Sequence, residues 1–566
     1  MPAVPSWRIV AGRGLGLVTT AKPYTACLER ASERHFVSAV PTSCSTCSNN
    51  NLRNAMSQSS FARDLVGQLE EESPATTRWQ NDDFPRYNFR DRTDMELVAS
   101  QSTPRSFHFG TGASIFTKAL IPAITSATRE VLFVTCFWAP SKTLSALHDA
   151  LASLAAHRRQ LISDARASGG PDLPPLRVRI CFSSRSIFQK LFHPQSRDGY
   201  LYPPSSWAKD LGLPEPELLE AGAIELRVKS LFFLPFSVMH PKFVIIDRER
   251  AFVPSCNVSW ESWLEGCLEF TGEAVTGLTA FYAMTWESGL DFRRPITARG
   301  LEHQAFNAGD ADLTLIHSPA YHHVSLPVPA VPAPLPTLVL PSSHHWNPKF
   351  HPFPWQKPSP VPRTPLNIAV LELLDEARRS IYVQTPNLTC GLVIAALLDA
   401  MQRGVDVTIV TNQNMMVLEQ LVTAGTTTKW CLRSLVRQFH RMSAILTDRP
   451  SRRGLRMLHN NQRAGNARDL EAGGTGFRRL CIMGFRSLSG TTETSTEEPV
   501  HSHLKLTIVD EELTVLGSGN MDRASWYTSQ ELGILIDDAA FAQSVKRGVE
   551  RVLDGRLDVI FDSRAA

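Results

Sequence analysis

Two stretches of this chain carry the same polar skeleton. HPKFVIID begins at His240 and HLKLTIVD at His503, and both read His-x-Lys-x-x-x-x-Asp. A charged turn follows each, then an apolar run ending in Ser-x-Asn: Ser255 and Asn257 in the first copy, Ser518 and Asn520 in the second. In an extended segment alternate side chains share a face, so His240 and Lys242 point one way, as do His503 and Lys505. Asp247 and Asp510 fall at odd offsets near the strand end and read as turn or scaffold residues. Each copy thus offers an imidazole, an ammonium, an amide and a hydroxyl from adjacent strands. Such a set suits a phosphoryl group, whose oxygens accept from charged donors. It does not suit a divalent metal, which a lysine beside each histidine repels, so no metal and no other cofactor is expected.

The elements that must position these residues are also written twice. From His108 onward, IFTKALIPAITSATRE has helical spacing, VLFVTCFW is a buried-strand run, TLSALHDALASLAAHRRQLI is a helix and LRVRICFSS a strand; IELRVKSLFF leads into the first motif. From Leu366, LNIAVLELLDEARRS, IYVQTP, GLVIAALLDAMQRG and VDVTIVTNQ repeat helix, strand, helix, strand, and LCIMGF precedes the second motif. A repeat of this length means two copies of one domain rather than a solenoid, and the alternation predicts α/β halves with mixed β-sheets, largely parallel, flanked by helices. The expected organisation is a Ser-, Thr-, Asn- and Arg-rich region over 1–95, mostly without structure, a first half over 96–317, a linker over 318–364, and a second half over 365–566. The second half carries an Arg- and Gly-rich insertion at 445–477. Residues 319–365 contain fourteen prolines, the composition of an extended linker. Its tail interleaves Trp346, Phe350, Phe353 and Trp355 with His and Lys, which suits a linker clamped on the domain or a loop at a membrane interface.

HPKFVIID and HLKLTIVD, with GSGNMDRASWYTSQE after the second, resemble the phospholipase D superfamily. The resemblance spans both halves and leaves out the N-terminal region, the linker and the Arg-rich insertion. It implies two halves packed about a pseudo-two-fold axis with one active site between them, so that each motif supplies half a site. Two histidines facing a phosphodiester can divide the work between nucleophile and acid. By the resemblance His240 is the nucleophile that forms a phosphohistidine and His503 the general acid, with Lys242, Lys505, Asn257, Asn520, Ser255 and Ser518 holding the phosphoryl oxygens. It also implies an acidic residue beyond Ser-x-Asn that orients an imidazole: Glu531 matches that position, and Glu269 comes one residue further along. The first copy departs from the family pattern at Pro254, where glycine is usual.

Composition narrows the substrate less than the motifs narrow the reaction. The chain has 566 residues, a net charge of +3, 43% hydrophobic and 20% charged residues, so no broad basic surface announces a polyanion partner. Phospholipid hydrolysis, or transfer of a phosphatidyl group to an alcohol, is the first reading, with peripheral membrane contact; a nuclease is the second, favoured by the Arg-rich insertion; a non-catalytic phosphate-binding homologue is the third. One chain holding both halves implies a monomer. No apolar run is long enough to span a bilayer. The ten cysteines show no framework: Cys136, Cys181 and Cys481 lie in apolar runs, and Cys44 and Cys47 form a lone pair without partners, so reduced, intracellular thiols are expected. The first 28 residues contain Arg8, Arg13 and Lys22 and no acid, a composition shared by mitochondrial presequences and unstructured tails.

Overall fold

The computed structural model describes residues 57–71, 92–186, 189–190, 193, 198–233, 237–259, 262–293, 324–327, 334–342, 361–412, 414–447, 479–488 and 498–565. Most of 1–95, the aromatic tail of the linker, nearly all of the insertion and Cys44 and Cys47 lie outside these residues. The chain is a mixed α/β protein with a large mixed sheet and packed helices. In chain order its principal elements are α1 (Ser60–Glu71), β1 (Ala99–Thr111), β2 (Glu130–Phe137), α2 (Lys142–Ala167), β3 (Leu176–Ser184), β4 (Ile224–Ser230), β5 (Phe243–Ile246), β6 (Arg250–Pro254), β7 (Trp263–Thr271) and α3 (Ala274–Trp286). Then come β8 (Leu335–Ser342), α4 (Pro365–Glu376), β9 (Ser380–Gln384), α5 (Gly391–Gln402), β10 (Asp406–Thr411), α6 (Val417–Ala424) and α7 (Thr428–Thr447). The last are β11 (Leu480–Phe485), β12 (Leu506–Val509), β13 (Leu513–Gly517), β14 (Glu531–Asp537), α8 (Ala539–Leu553) and β15 (Leu557–Asp562).

The first motif sits in the strand order β4-β3-β2-β5-β6-β7-β1, parallel across β4, β3 and β2 and antiparallel thereafter. The second sits in β11-β10-β9-β12-β13-β14-β8, with the same sense at each step. β1 and β8 pair antiparallel and join the two sets. Short, nearly continuous apolar runs form β2, β3 and β12 because both faces are covered. One core lies under the first set around Phe133, Trp138 and Phe182, another under the second around Leu373, Leu397 and Leu480. A third draws Phe107, Phe243 and Leu268 from the first motif's side and Leu506, Ile534 and Phe541 from the second's. The helix α4 illustrates how an element is specified: Thr364 caps it by accepting from the Asn367 amide, Pro365 occupies its first turn, and Leu366, Val370, Leu373 and Leu374 turn inward. Each leucine so buried contributes about 1.5–3 kcal/mol.

Two expectations are corrected. The linker is not only a linker, because LPTLVLPS forms β8, buried almost throughout and paired with both β1 and β14. Proline normally bars a central strand. Here Pro336 falls where only β1 is a neighbour and Pro341 where only β14 is, so each sits as if on an edge. The region before residue 96 contributes α1, whose Phe61, Ala62, Leu65, Val66 and Leu69 recur at helical spacing and pack in the second core.

Both motif aspartates end a strand in the same way. Asp247 and Arg248 have φ of 52° and 58°, and Asp510 and Glu511 have 55° and 56°. The Glu249 and Glu512 amides close these turns on the Ile246 and Val509 carbonyls, each at 3.0 Å. Consecutive left-handed residues make the tight hairpin turn whose twist matches the strands, a conformation that favours Asn and Gly. The aspartates offset that cost. Asp247 accepts from the amides of Thr128, Arg129 and Glu130 at 2.9, 2.7 and 2.8 Å. Asp510 accepts from Arg378, Arg379 and Ser380 at 2.9, 2.7 and 2.8 Å. Each carboxylate thus joins its hairpin to the start of the neighbouring strand β2 or β9. Asp510→Ala should strand three backbone donors and cost about 2–4 kcal/mol, read as a lower denaturation midpoint with an unchanged slope.

Candidate active site

The strands β5 and β12 begin one residue after each lysine, so His240, Lys242, His503 and Lys505 lie on the approach to the strands and not within them. Since β5 runs antiparallel to β2, and β12 to β9, these approaches lie at the carboxyl ends of the parallel strands, where open α/β sheets place their ligands. The backbone at each histidine is held by the other motif's strand set. The His240 amide donates to the Gln530 carbonyl at 3.0 Å, and the His503 amide to the Leu264 carbonyl at 2.8 Å. The next residue in each case meets the ring: His240 Nδ1 is 2.8 Å from Glu531 Oε2, and His503 Nδ1 is 2.8 Å from Glu265 Oε1. Two attachments to adjacent residues fix both position and ring orientation, and leave Nε2 of each ring for chemistry. Each lysine folds back to its own histidine, Lys242 Nζ donating to the His240 carbonyl at 2.8 Å and Lys505 Nζ to the His503 carbonyl at 2.7 Å.

This pairing corrects the expectation for Glu269. Its carboxylate receives Arg250 and the Ser106 hydroxyl, away from either histidine. Glu265 takes the place assigned to it. Counting a set distance from Asn257 assumed equal connections, but Ser518 reaches Glu531 thirteen residues on and Ser255 reaches Glu265 ten residues on. Strand pairing is the better guide: the Ser255 amide bonds the Gly266 carbonyl as the Ser518 amide bonds that of Leu532, which aligns the residues just before, Glu265 and Glu531. The serines are corrected too. Buried Ser255 donates its hydroxyl to Glu265 and Ser518 to Glu531, so both steady the carboxylates instead of facing a phosphate.

Asn257 is held through its oxygen, which accepts from the Phe137 amide at 3.1 Å; Asn520 is held through its NH2, which donates to Asp522 at 3.1 Å. Gly517, before Ser518, has a φ of 152°, and an added Cβ would stand 2.1 Å from the Leu532 carbonyl oxygen. Pro254 fills the corresponding place at the end of β6, where it pairs with Cys267. Two contributors went unnoticed in the sequence. Asn412 clamps Ser502 from both sides, donating to its carbonyl at 2.6 Å and accepting from its amide at 3.1 Å, and so sets the residue before His503. Trp263 lies over His503, ring centres 4.8 Å apart. Only a tryptophan directly preceding Leu264-Glu265 at the start of a strand signalled it.

Electrostatically the two dyads differ. Burial lowers the pKa of His240 and Lys242 adds to this, while Glu531 opposes it. Burial pushes Glu531 upward, but His240 and the Ser518 and Ser525 hydroxyls outweigh it and leave the carboxyl below its usual range. Glu265 is pushed up to about 7 by burial, with Lys505 opposing. His503 is held well below its ordinary value by burial, then by Lys505 and Lys242. Lys505 itself is pushed down to about 7 by burial, with Glu265 opposing. The histidines and lysines of both motifs are therefore close enough to act on one another's charge. Among the described residues no group of three His, Cys, Asp or Glu side chains is placed to hold a metal, and no helix is long and apolar enough to cross a membrane.

Residues 370–553 match the family model for the cardiolipin synthase, phospholipase D-like domain. Solved structures with a similar chain path include the phosphatidylserine synthase of Haemophilus influenzae Rd KW20, 13% identical over 81% of this chain and 89% of that one, with a TM-score of 0.45. The phospholipase D family member Nuc from Salmonella typhimurium is 17% identical over 35% of this chain and 90% of that one, TM-score 0.22. The polyphosphate kinase of Porphyromonas gingivalis is 11% identical over 80% and 47%, TM-score 0.37. No curated protein matches the sequence. The matched stretch, residues 370–553, contains the second His-x-Lys-x-x-x-x-Asp motif and so extends the resemblance to a phospholipase D-like domain over that part of the chain.

Proposed function

We propose that this chain is a phosphodiesterase that acts through a phosphohistidine, hydrolysing phospholipids or transferring a phosphatidyl group to an alcohol. The observation that carries the reading is the exchange of partners: each motif's histidine is held by a glutamate from beyond the other motif, His240 by Glu531 and His503 by Glu265. Such an exchange supports the reading of one site shared by two halves about a pseudo-two-fold axis within a single chain.

The difference between the dyads favours His240 as nucleophile. Beside an ionised Glu531 the His240 ring is a neutral imidazole with its tautomer fixed, Nδ1 protonated and Nε2 free to attack phosphorus. The bond from phosphorus to the leaving alcohol breaks as the nitrogen–phosphorus bond forms. The Glu265–His503 pair, whose carboxyl titrates at about 7, retains a proton near neutrality, and His503 Nε2 passes it to the leaving oxygen. Water or a second alcohol then gives its proton to His503 and displaces His240. Lys242, Lys505 and the Asn257 amide steady the non-bridging oxygens, with Asn520 beside them. An arriving phosphate anion favours the charged form of Lys505.

The test is turnover without added metal on vesicles of phosphatidylcholine and phosphatidylglycerol with a primary alcohol, run beside single-stranded DNA and RNA. Transphosphatidylated lipid, undiminished by EDTA, is expected. Loss of activity on chelation would mean that the lysines do not take the place of a cation. A nuclease using the same histidines is the second reading, favoured by the seven arginines against three acids in residues 448–478; cleaved nucleic acid with inert lipid would establish it.

A further inference from the structure

One face beside the site is both cationic and apolar and is not used by the chemistry. Along α7, Lys429, Arg433, Arg437 and Arg441 recur every fourth residue and form one stripe. Leu435 and Phe439 turn the opposite side of the helix into the core. Among the described residues none of the four cations has an acidic partner, whereas Arg177, Arg248, Arg250, Arg379, Arg479 and Arg556 each meet a carboxylate. Lys429, Arg433 and Arg437 line a groove of about 740 Å³ against Trp430 and Ile560, the latter from the strand β15. Among the described residues that strand pairs with β11 alone, and its Ile560 is 36% exposed. Trp430 is 55% exposed.

Helix α6, which precedes α7, adds exposed apolar side chains. In α6, Gln420 is buried and holds Asn387, the Met415 carbonyl and Thr428. Residues two positions either side of it lie about 200° round the helix. These are Leu418 and Val422, 76% and 52% exposed. Thr428, at the start of α7, accepts from the Leu388 amide at 3.0 Å, and Leu388 bridges Met521, the neighbour of Asn520. The helix that carries the stripe is thus anchored beside a residue of the candidate site.

We propose that the outer face of α6, α7 and β15 docks on an anionic phospholipid bilayer and brings the site to the lipid surface. Charge complementarity selects the partner. Cations with no acidic partner among the described residues call for an anionic surface, and exposed Trp430, Leu418 and Val422 call for one with an apolar layer beneath its charges. The chain's own Arg-rich segment after α7 has the same sign of charge as the stripe and does not complement it. A second copy would set stripe against stripe. Nucleic acid satisfies the cations but leaves the aliphatic side chains without partners, since such interfaces are polar. The purpose of the surface rests on the lipid-enzyme reading; its detection does not.

The test is flotation of the full chain with vesicles of phosphatidylcholine alone and of phosphatidylcholine mixed with phosphatidylglycerol, beside binding to single-stranded DNA. Binding is expected to the mixed vesicles and to weaken with salt. Arg433→Glu with Arg437→Glu should lower it by about tenfold or more, and Trp430→Ser should weaken it while leaving the salt dependence in place. Turnover of a soluble short-chain phosphodiester, which needs no docking, should be unchanged in both variants. Equal binding of the double variant, or equal binding to both kinds of vesicle, would overturn the proposal. So would tighter binding to DNA that is indifferent to Trp430→Ser. Docking without any turnover would leave this surface standing and overturn the lipid-enzyme reading instead; turnover of the soluble diester without docking would do the reverse.

Discussion

His240→Ala and His503→Ala should each lower kcat/KM by about 10⁴-fold or more, because each removes a group that makes or receives a bond in both steps. The two losses should differ in kind. A substrate with a good leaving group, such as a nitrophenyl phosphodiester, needs little protonation as it departs. It should recover much of the rate of His503→Ala in the first step and none of that of His240→Ala. Protein denatured under alkaline conditions, where a phosphorus–nitrogen bond survives, should therefore carry a phosphohistidine in His503→Ala and not in His240→Ala. The opposite pattern would exchange the two roles, and full activity in either variant would sink the mechanism. Both variants should fold. Each loses a ring and its bond to a glutamate, about 1–3 kcal/mol, but the partner carboxyl keeps its serine, Ser518 or Ser255.

Glu265→Gln should lower kcat by about 10²–10³-fold, the scale at which a buried carboxylate fixes a histidine's tautomer and steadies its charge. The pH profile separates this role from packing. His503 must carry a proton to act as an acid, so activity falls on the alkaline side as the dyad loses that proton, and the pair titrates as a unit. Removing a negative neighbour makes the imidazolium less stable and lowers its pKa. The alkaline limb of kcat/KM should therefore move to lower pH in Glu265→Gln. Glu531→Gln should impair catalysis comparably but act on His240, where a proton obstructs attack. Glu269→Gln loses a half-exposed pair with Arg250 and should leave both kcat and the pH profile unchanged. If Glu269→Gln were the damaging change and Glu265→Gln silent, the arrangement of β6 and β7 described above would be wrong.

The sequence by itself determined the repeated polar skeleton and the chemistry proposed for it. Two His-x-Lys-x-x-x-x-Asp stretches with matching Ser-x-Asn tails point to a phosphoryl site, because residue types and short spacings within one strand or hairpin are local properties. The periodicity of the flanking segments likewise yields α2, α5, β3 and β10 where the structure has them. The Asp247 and Asp510 turns were legible for the same reason, since parity alone turns the aspartates away from the lysines.

Tertiary structure decided whatever joins residues distant in the chain. Which glutamate meets His503 depends on the register of β6 against β7 and on a connection three residues shorter than its counterpart, and no motif encodes that difference. That Ser255 and Ser518 serve the carboxylates follows from the same register. β8 reads as proline-rich linker until β1 and β14 arrive to pair with it on the stretches its prolines leave open. Helix α1 carries its apolar stripe inside a Ser-, Asn- and Arg-rich region whose composition masks it, and gains its stability from the core it covers. The exchange of Glu531 and Glu265 between the two motifs arises only when the strand sets meet, because each dyad joins residues more than two hundred positions apart.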